Sequence, residues 1–319
     1  PGRVNEDDGA NNFGKGLVSQ RADLLAELDV SASNWGLRVS GTAWYDRAYL
    51  RRFDAGLPVP YSFGDPGIEG RPFYTADFTA LNVEVRRGVL SEVLEAISDH
   101  LASPSPPTYY VASLPVARAL PGFTEHNDAG LAGQGIDAPA SIWIGNRVIA
   151  SCHFDAPDNL ACCVVGRRQF TLFPPDQLRN LYIGPLDFTP AGQAVSLVDF
   201  ALPDLERFPR FAEAMRYAQV AELEPGDAVL IPSMWWHHME GLEGFNVLVN
   251  YWWRRTPAWL GQPQAALHHA ILAIRDLPPE DKAIWREQFD HYVFDNDASV
   301  TDHIPETARS ILAPLTSET

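Results

Sequence analysis

Positive charge, cysteine and long apolar stretches are all scarce in this chain. Its 319 residues hold 24 Lys and Arg against 41 Asp and Glu, a formal net charge of −17. Phosphate and anionic lipid are bound by clustered cationic side chains, so this balance argues against a nucleic-acid partner and against a membrane surface. No apolar run approaches the ~20 residues that cross a bilayer. The opening stretch, PGRVNEDDGANNFGKG, has neither a basic start nor an apolar h-region, and is read as a loose acidic leader rather than a secretory signal. Three cysteines occur, Cys152, Cys162 and Cys163, two of them adjacent. Such a set builds no disulfide framework and points to a reducing, cytoplasmic setting, with the thiols as small buried hydrophobes. Long-period repeats and low-complexity tracts are missing too.

What is present is a helical, then strand-rich, then helical text. Residues 17–29 and 42–53 read as short helices, and 58–74, punctuated by Pro and Gly, as loop. Apolar residues at 89, 90, 93, 94 and 97 predict an amphipathic helix over 88–102, ended by PSPP. From there β-branched and aromatic runs follow at 108–116, 141–155, 160–174, 227–241 and 245–255, bounded by Gly, Pro, Asn and Asp. IGNR and VGRR read as hairpin turns. A helix is expected at PRFAEAMRYAQ, and two more beyond Arg255. The expected architecture is mainly β with flanking helices: a double-stranded β-helix, a cupin-like jelly roll, at 105–257, a helical and sheet-flanking region at 1–104, and a helical tail at 258–319.

Two polar clusters sit inside this oily text. In ASCHFDAPDN, His153 and Asp155 are two apart, so on a strand they share a face. In GDAVLIPSMWWHHMEG, His237 and His238 alternate, so one of them joins that face; His237 is the choice, with His238 packing outward or hydrogen-bonding. Two imidazoles and a carboxylate hold one face of an octahedron and leave the other open, a geometry suited to non-haem Fe(II), although donor softness leaves Zn, Ni, Co and Mn in play. Alone, His-x-Asp is a weak signal; the long G-D-x-x-x-I-P-x-x-W-W-H wording strengthens it.

CHFDAPDNLACCVVGRRQFTLFPPDQLRNLY and PGDAVLIPSMWWHHMEGLEGFNVLVNYWW together resemble the JmjC-domain, cupin-like 2-oxoglutarate oxygenases. Within them the chain is most similar to the branch typified by the asparaginyl hydroxylase that inhibits hypoxia-inducible factor. The resemblance covers residues 105–255 and implies Fe(II) on His153, Asp155 and His237, 2-oxoglutarate as cosubstrate, and O2. It places Arg168 where that branch has a Lys for the distal carboxylate, and Ala150 where it has a Thr; Ser151 alternates to the other face and Arg167 is expected at the surface. The supporting Tyr falls on Tyr110, with Tyr109 as the alternative register, and Asn159 and Asn250 fall on polar lining positions. Of the flanking tryptophans, alternation nominates Trp236 and Trp252 for the substrate side of the pocket.

The function expected is hydroxylation of a C–H bond on a peptidyl or small-molecule substrate reached through loops 111–140 and 176–223, with Glu125, His126 and Asp128 as polar loop-tip residues. Lysine demethylation is disfavoured, because no reader domain accompanies the core. The tail stripe of Leu267, Ile271, Ile274, Trp285, Phe289 and Val293 is expected either to cover the barrel or to form a homodimer. Two alternatives remain open: a metal-binding cupin enzyme that uses no 2-oxo acid, and a non-catalytic cupin-like binding protein.

Overall fold

The computed structural model describes residues 21–32, 35–46, 56–190, 192–257 and 259–316. The first elements are strands β1 (Arg21–Ala32) and β2 (Trp35–Asp46), paired antiparallel from Arg21↔Asp46 to Ala32↔Trp35. They replace the helices expected at 17–29 and 42–53; positions 17–20 and 47–53 lie outside the described residues, as does the leader. The reason is legible in hindsight. Leu24, Ala26, Leu28 and Val30 alternate with Asp23, Glu27 and Asp29 at period two, and the second half carries the strand formers Val39, Thr42, Trp44 and Tyr45.

The remaining strands are β3 (Pro58–Gly64), β4 (Glu84–Val89), β5 (Thr108–Pro115), β6 (Ala140–Gly145), β7 (Ile149–Phe154), β8 (Asp158–Val165), β9 (Arg168–Phe173), β10 (Gln219–Leu223), β11 (Ala228–Ile231), β12 (Trp236–Gly241) and β13 (Asn246–Trp253). They form a four-stranded sheet, β10-β9-β12-β7, and a seven-stranded sheet, β11-β8-β13-β6-β5-β3-β4. Every pairing is antiparallel. This is the double-stranded β-helix expected from sequence.

Two local expectations are corrected. IGNR and VGRR are not hairpins: β6 and β8 lie in the seven-stranded sheet, β7 and β9 in the four-stranded one, so each turn is a corner between sheets. Their backbone groups bond across the barrel end rather than within a two-residue ladder. Gly241 N–H donates to Val148 O at 2.8 Å, and Leu242 N–H to Arg167 O at 2.9 Å. Residues 58–64, read as loop, are β3. Pro58 and Pro60 are two apart, so their missing N–H groups fall on one side of the strand, and on the β5 side β3 pairs only from Ser62 onward. The ladder loses nothing, and Val59 between them is buried.

Side chains sort into three layers. Outside the seven-stranded sheet, Ile142, Ile144, Val247 and Val249 pack with Leu90, Val93 and Ile97 of helix α1 (Leu90–Asp99), the core of the predicted 88–102 helix. Short helices α2 (Val116–Ala119) and α3 (Phe123–His126) follow β5, and Val116 and Phe123 join this layer. Between the sheets, Ala161, Cys163, Phe170, Leu172, Ile231, Met239 and Leu248 fill the barrel. Outside the four-stranded sheet, Cys152, Phe173 and Trp236 meet Leu181, Val198, Phe208 and Phe211, the last from helix α4 (Phe211–Met215). Segment 176–218 is thus a packed cover over that sheet. The chain divides into two compact units after Trp253. The second carries helices α5 (Pro263–Ile274) and α6 (Pro279–Phe289), neither with a buried residue.

The β8–β9 corner has one steric test. Gly166 sits at φ +75°, and a Cβ there would collide with Asn246 Oδ1 and with the Phe245 carbonyl. Gly166→Ala is expected to lower the unfolding free energy by about 1–3 kcal/mol. Urea denaturation reads this, and an unchanged midpoint would contradict the corner geometry.

Candidate metal centre

Alternation along β7 is interrupted, and the interruption builds the site. His237 pairs with His153, and Met239 with Ala150, so two steps on β12 match three on β7. Ser151 and Cys152 together face the single His238, a β-bulge that re-aims the strand. Ala150 and Met239 point into the barrel with Phe170 and Leu172. Past the bulge His153 points inward again. Without the extra residue, Cys152 would take that position. Ser151 instead accepts from Arg71 Nε at 3.2 Å on the outer side.

A second tie locks the loop carrying Asp155 to the corner before β12. Met234 N–H donates to Asp155 O at 2.9 Å, Ser233 N–H to Asp158 Oδ1 at 2.9 Å, and the Ser233 hydroxyl to Ala156 O at 2.6 Å. Met234 adopts a left-handed φ of 66° to make this corner.

These constraints bring one donor atom each from His153, Asp155 and His237 within 4.8 Å of one another. His237 Nε2 is 3.7 Å from Asp155 Oδ2, and the two imidazole centroids are 4.3 Å apart. Both imidazoles are tethered alike: His153 Nδ1 lies 2.8 Å from Ser151 O and His237 Nδ1 3.1 Å from Trp235 O. A proton on Nδ1 satisfies each carbonyl and leaves Nε2 with a lone pair for a cation. Burial, then the neighbouring His153, pulls the pKa of His237 down to about 3, so its ring is neutral at physiological pH. Burial also raises the Asp155 carboxyl above its usual range, against the pull of His153 and of the Trp252 indole. Two imidazole nitrogens beside a carboxylate short of positive charge suit a divalent cation. Donors about 2.1 Å from an ion and mutually at right angles are about 3 Å apart, so a small closure seats one.

His238 lies on the outer face. Its ring stacks on Phe200 at 4.2 Å, and Nε2 is 2.9 Å from Glu240 Oε1. Trp236 also faces outward, which corrects its assignment to the pocket. Its ring packs edge-on against Phe154, and Nε1 donates to Pro175 O at 3.4 Å. Neighbours in a strand alternate, so a Trp beside an inward His237 must face away. Trp235 is the one packed against the barrel interior.

Deeper in the barrel, Arg168 is 2% exposed. Its Nη1 points at Met239 Sδ at 3.3 Å, the Tyr110 phenol lies beside the guanidinium, and Nε has no partner. Among the described residues no carboxylate pairs with it. Arg167, by contrast, is exposed and bridges Glu222 and Glu243. Tyr110 faces this interior, while Tyr109 stacks on Tyr61 in the outer layer. Asn159 and Asn250 are buried together, Asn250 Nδ2 donating to Asn159 Oδ1 at 3.1 Å. Asn250 Oδ1 accepts from Trp143 Nε1 at 2.7 Å. Trp252 stands edge-on to Trp143, with centroids 5.6 Å apart. Trp143 and Met239 were missed by sequence reasoning; the inward phase of SIWIG, alternate to Ile142 and Ile144, was the available signal. Of the polar residues around α3, Asp128 caps its own turn through Gly130 N–H, and Glu125 is exposed.

The depressed His237 pKa fixes a sign. The unfolded chain takes up this proton near pH 6.5, the folded one near 3, so acid favours unfolding as pH falls from about 6.5. Chelator-treated protein should melt at progressively lower temperature between about pH 7.5 and 5, with a flatter profile in His237→Gln. Parallel profiles would contradict the buried neutral ring.

Comparison with known proteins agrees with this geometry. Residues 32–258 match the cupin-like domain family. The tRNA wybutosine-synthesizing protein 5 of Danio rerio is 36% identical over 106 residues, covering 33% of this chain and 29% of that protein. HSPB1-associated protein 1 of Homo sapiens is 34% identical over 115 residues, covering 35% of this chain and 23% of that protein. The matched segment spans less than a third of the length of these curated relatives. With more than half of its length matched and a jelly-roll barrel enclosing His153, Asp155 and His237, the chain belongs to the cupin-like domain family.

Proposed function

We propose that the protein is an Fe(II)- and 2-oxoglutarate-dependent oxygenase that hydroxylates a C–H bond of a peptidyl or small-molecule substrate. One observation carries the reading: a three-donor metal face and a buried guanidinium, without a carboxylate partner among the described residues, meet two residues of one strand, His237 and Met239 of β12. His153, Asp155 and His237 would hold the metal. Arg168 stays charged when buried, and an uncompensated buried cation is costly. Its Nη1 touches Met239, two residues along β12 from His237, a rise of about 7 Å. A short dicarboxylate with its keto-acid end at the metal spans such a gap, its far carboxylate taking the free side of the guanidinium. When bound, iron, 2-oxoglutarate and O2 supply the oxidising chemistry.

The chain's own residues orient and exclude. The Nδ1 tethers hold both imidazoles, Tyr110 props the guanidinium, and Phe170, Leu172 and Met239 keep water from the cosubstrate arm. Ala150 contributes packing where a hydroxyl is found in the asparaginyl-hydroxylase branch, so Arg168 carries more of the carboxylate recognition here. Placement in that branch rests on the CHFD and GDAVLIPSMWWHH wording. One relative's name refers to tRNA wybutosine synthesis, but a net charge of −17 favours a peptide or small molecule over a polyanion for this chain. The exposed Leu267, Leu272, Ile284 and Trp285 of α5 and α6 favour pairing of two copies through the tail.

Arg168 separates this reading from a cupin enzyme that needs no 2-oxo acid. Arg168→Ala should raise the 2-oxoglutarate concentration required for succinate release about a hundredfold, as expected for losing one partner of a buried charge pair. Unchanged turnover in that variant would favour the alternative.

A further inference from the structure

We propose that Trp252 is a positioning residue whose indole N–H orients the Asp155 carboxylate toward the metal, rather than a wall for substrate. The inference rests on the metal-centre reading above. Trp252 Nε1 is buried and has no hydrogen-bond partner of good geometry. Leaving a buried N–H unmet costs about 1–3 kcal/mol, so such a donor marks a group waiting for an acceptor. The acceptor within its reach is the Asp155 carboxylate. Asp155 needs such help. It stands one residue past the end of β7, and its carboxylate has no hydrogen bond of good geometry among the described residues, only His237 Nε2 at 3.7 Å.

The indole is itself held. It meets Trp143 edge-on at an interplanar angle of 89°. Trp143 is pinned through Nε1 to Asn250 Oδ1, and Asn250 through Nδ2 to Asn159 Oδ1. Asn159 in turn sits opposite Trp252 in the β8–β13 register. The buried asparagine pair thus supports the two tryptophans. Trp143 also lies 5.9 Å from Tyr110, the neighbour of Arg168, so one aromatic frame backs both the metal face and the guanidinium. Outer partners of this kind orient a ligand and change metal affinity by about 10- to 100-fold when removed.

The test is Co(II) titration of the chelator-treated protein, followed by its visible d–d absorption, with the cosubstrate absent. Trp252 is replaced by benzothienylalanine, which keeps the ring shape and exchanges N–H for sulfur, and in a second variant by Phe. The isostere should weaken Co(II) binding about 10- to 100-fold and alter the band shape, with the melting temperature of the metal-free protein unchanged. Wild-type affinity and spectrum in the isostere would overturn the inference while leaving the metal centre standing. If the unaltered protein binds no Co(II), or binds it equally well as His153→Ala, the metal-centre reading itself falls, and the inference with it.

Discussion

The site depends on one extra residue in β7. Because Ser151 and Cys152 together oppose His238, the strand's inward phase shifts between Ala150 and His153. A regular strand would offer the cavity Ala150 and Cys152, an apolar pair. The bulged strand offers Ala150 to the barrel packing and His153 to the cavity, opposite His237. The cost of the irregularity is met locally. Ser196 N–H donates to Cys152 O at 2.7 Å, and Arg71 takes the Ser151 hydroxyl. The 176–218 cover therefore does more than hide apolar surface; it supplies partners for backbone that the bulge removes from its ladder.

A second consequence is that the cavity is built out of balance. Hydrophobic packing from both sheets lowers the dielectric around Arg168, Asp155 and His237, and each group responds. The imidazole is held neutral, the carboxyl is pushed toward protonation, and the guanidinium is left with a thioether and a phenol. Replacing these groups by apolar ones would gain stability at the expense of binding. A cation at one end and an anion at the other would resolve the imbalance together, which is the basis for proposing a chelating keto dicarboxylate rather than a metal alone.

Much of this was legible in the chain. The jelly roll followed from the strand runs, and the grouping of His153, Asp155 and His237 from period-two spacing and a long motif. What escaped was topological. IGNR and VGRR have the composition of hairpin turns, and nothing local in them says that the next strand joins another sheet. The proline-bearing β3 was hidden because a strand tolerates proline only where its other side is unpaired, a fact set by β5 some fifty residues later. The first two strands were misread because Leu24, Leu25 and Leu28 also satisfy a helical spacing. Trp236 was a different kind of miss: alternation from His237 already placed it outside. The bulge and the left-handed Met234 had no sequence signature beyond their polar and small neighbours.

The central claim is that three protein donors leave a metal with vacant positions into which a 2-oxo acid chelates, held from behind by Arg168. Anaerobic addition of 2-oxoglutarate to the Fe(II)-loaded protein tests it most directly. The account predicts a visible metal-to-ligand charge-transfer absorption that saturates with the keto acid and is lost in His237→Ala. A ferrous protein that stays colourless at saturating 2-oxoglutarate would contradict it.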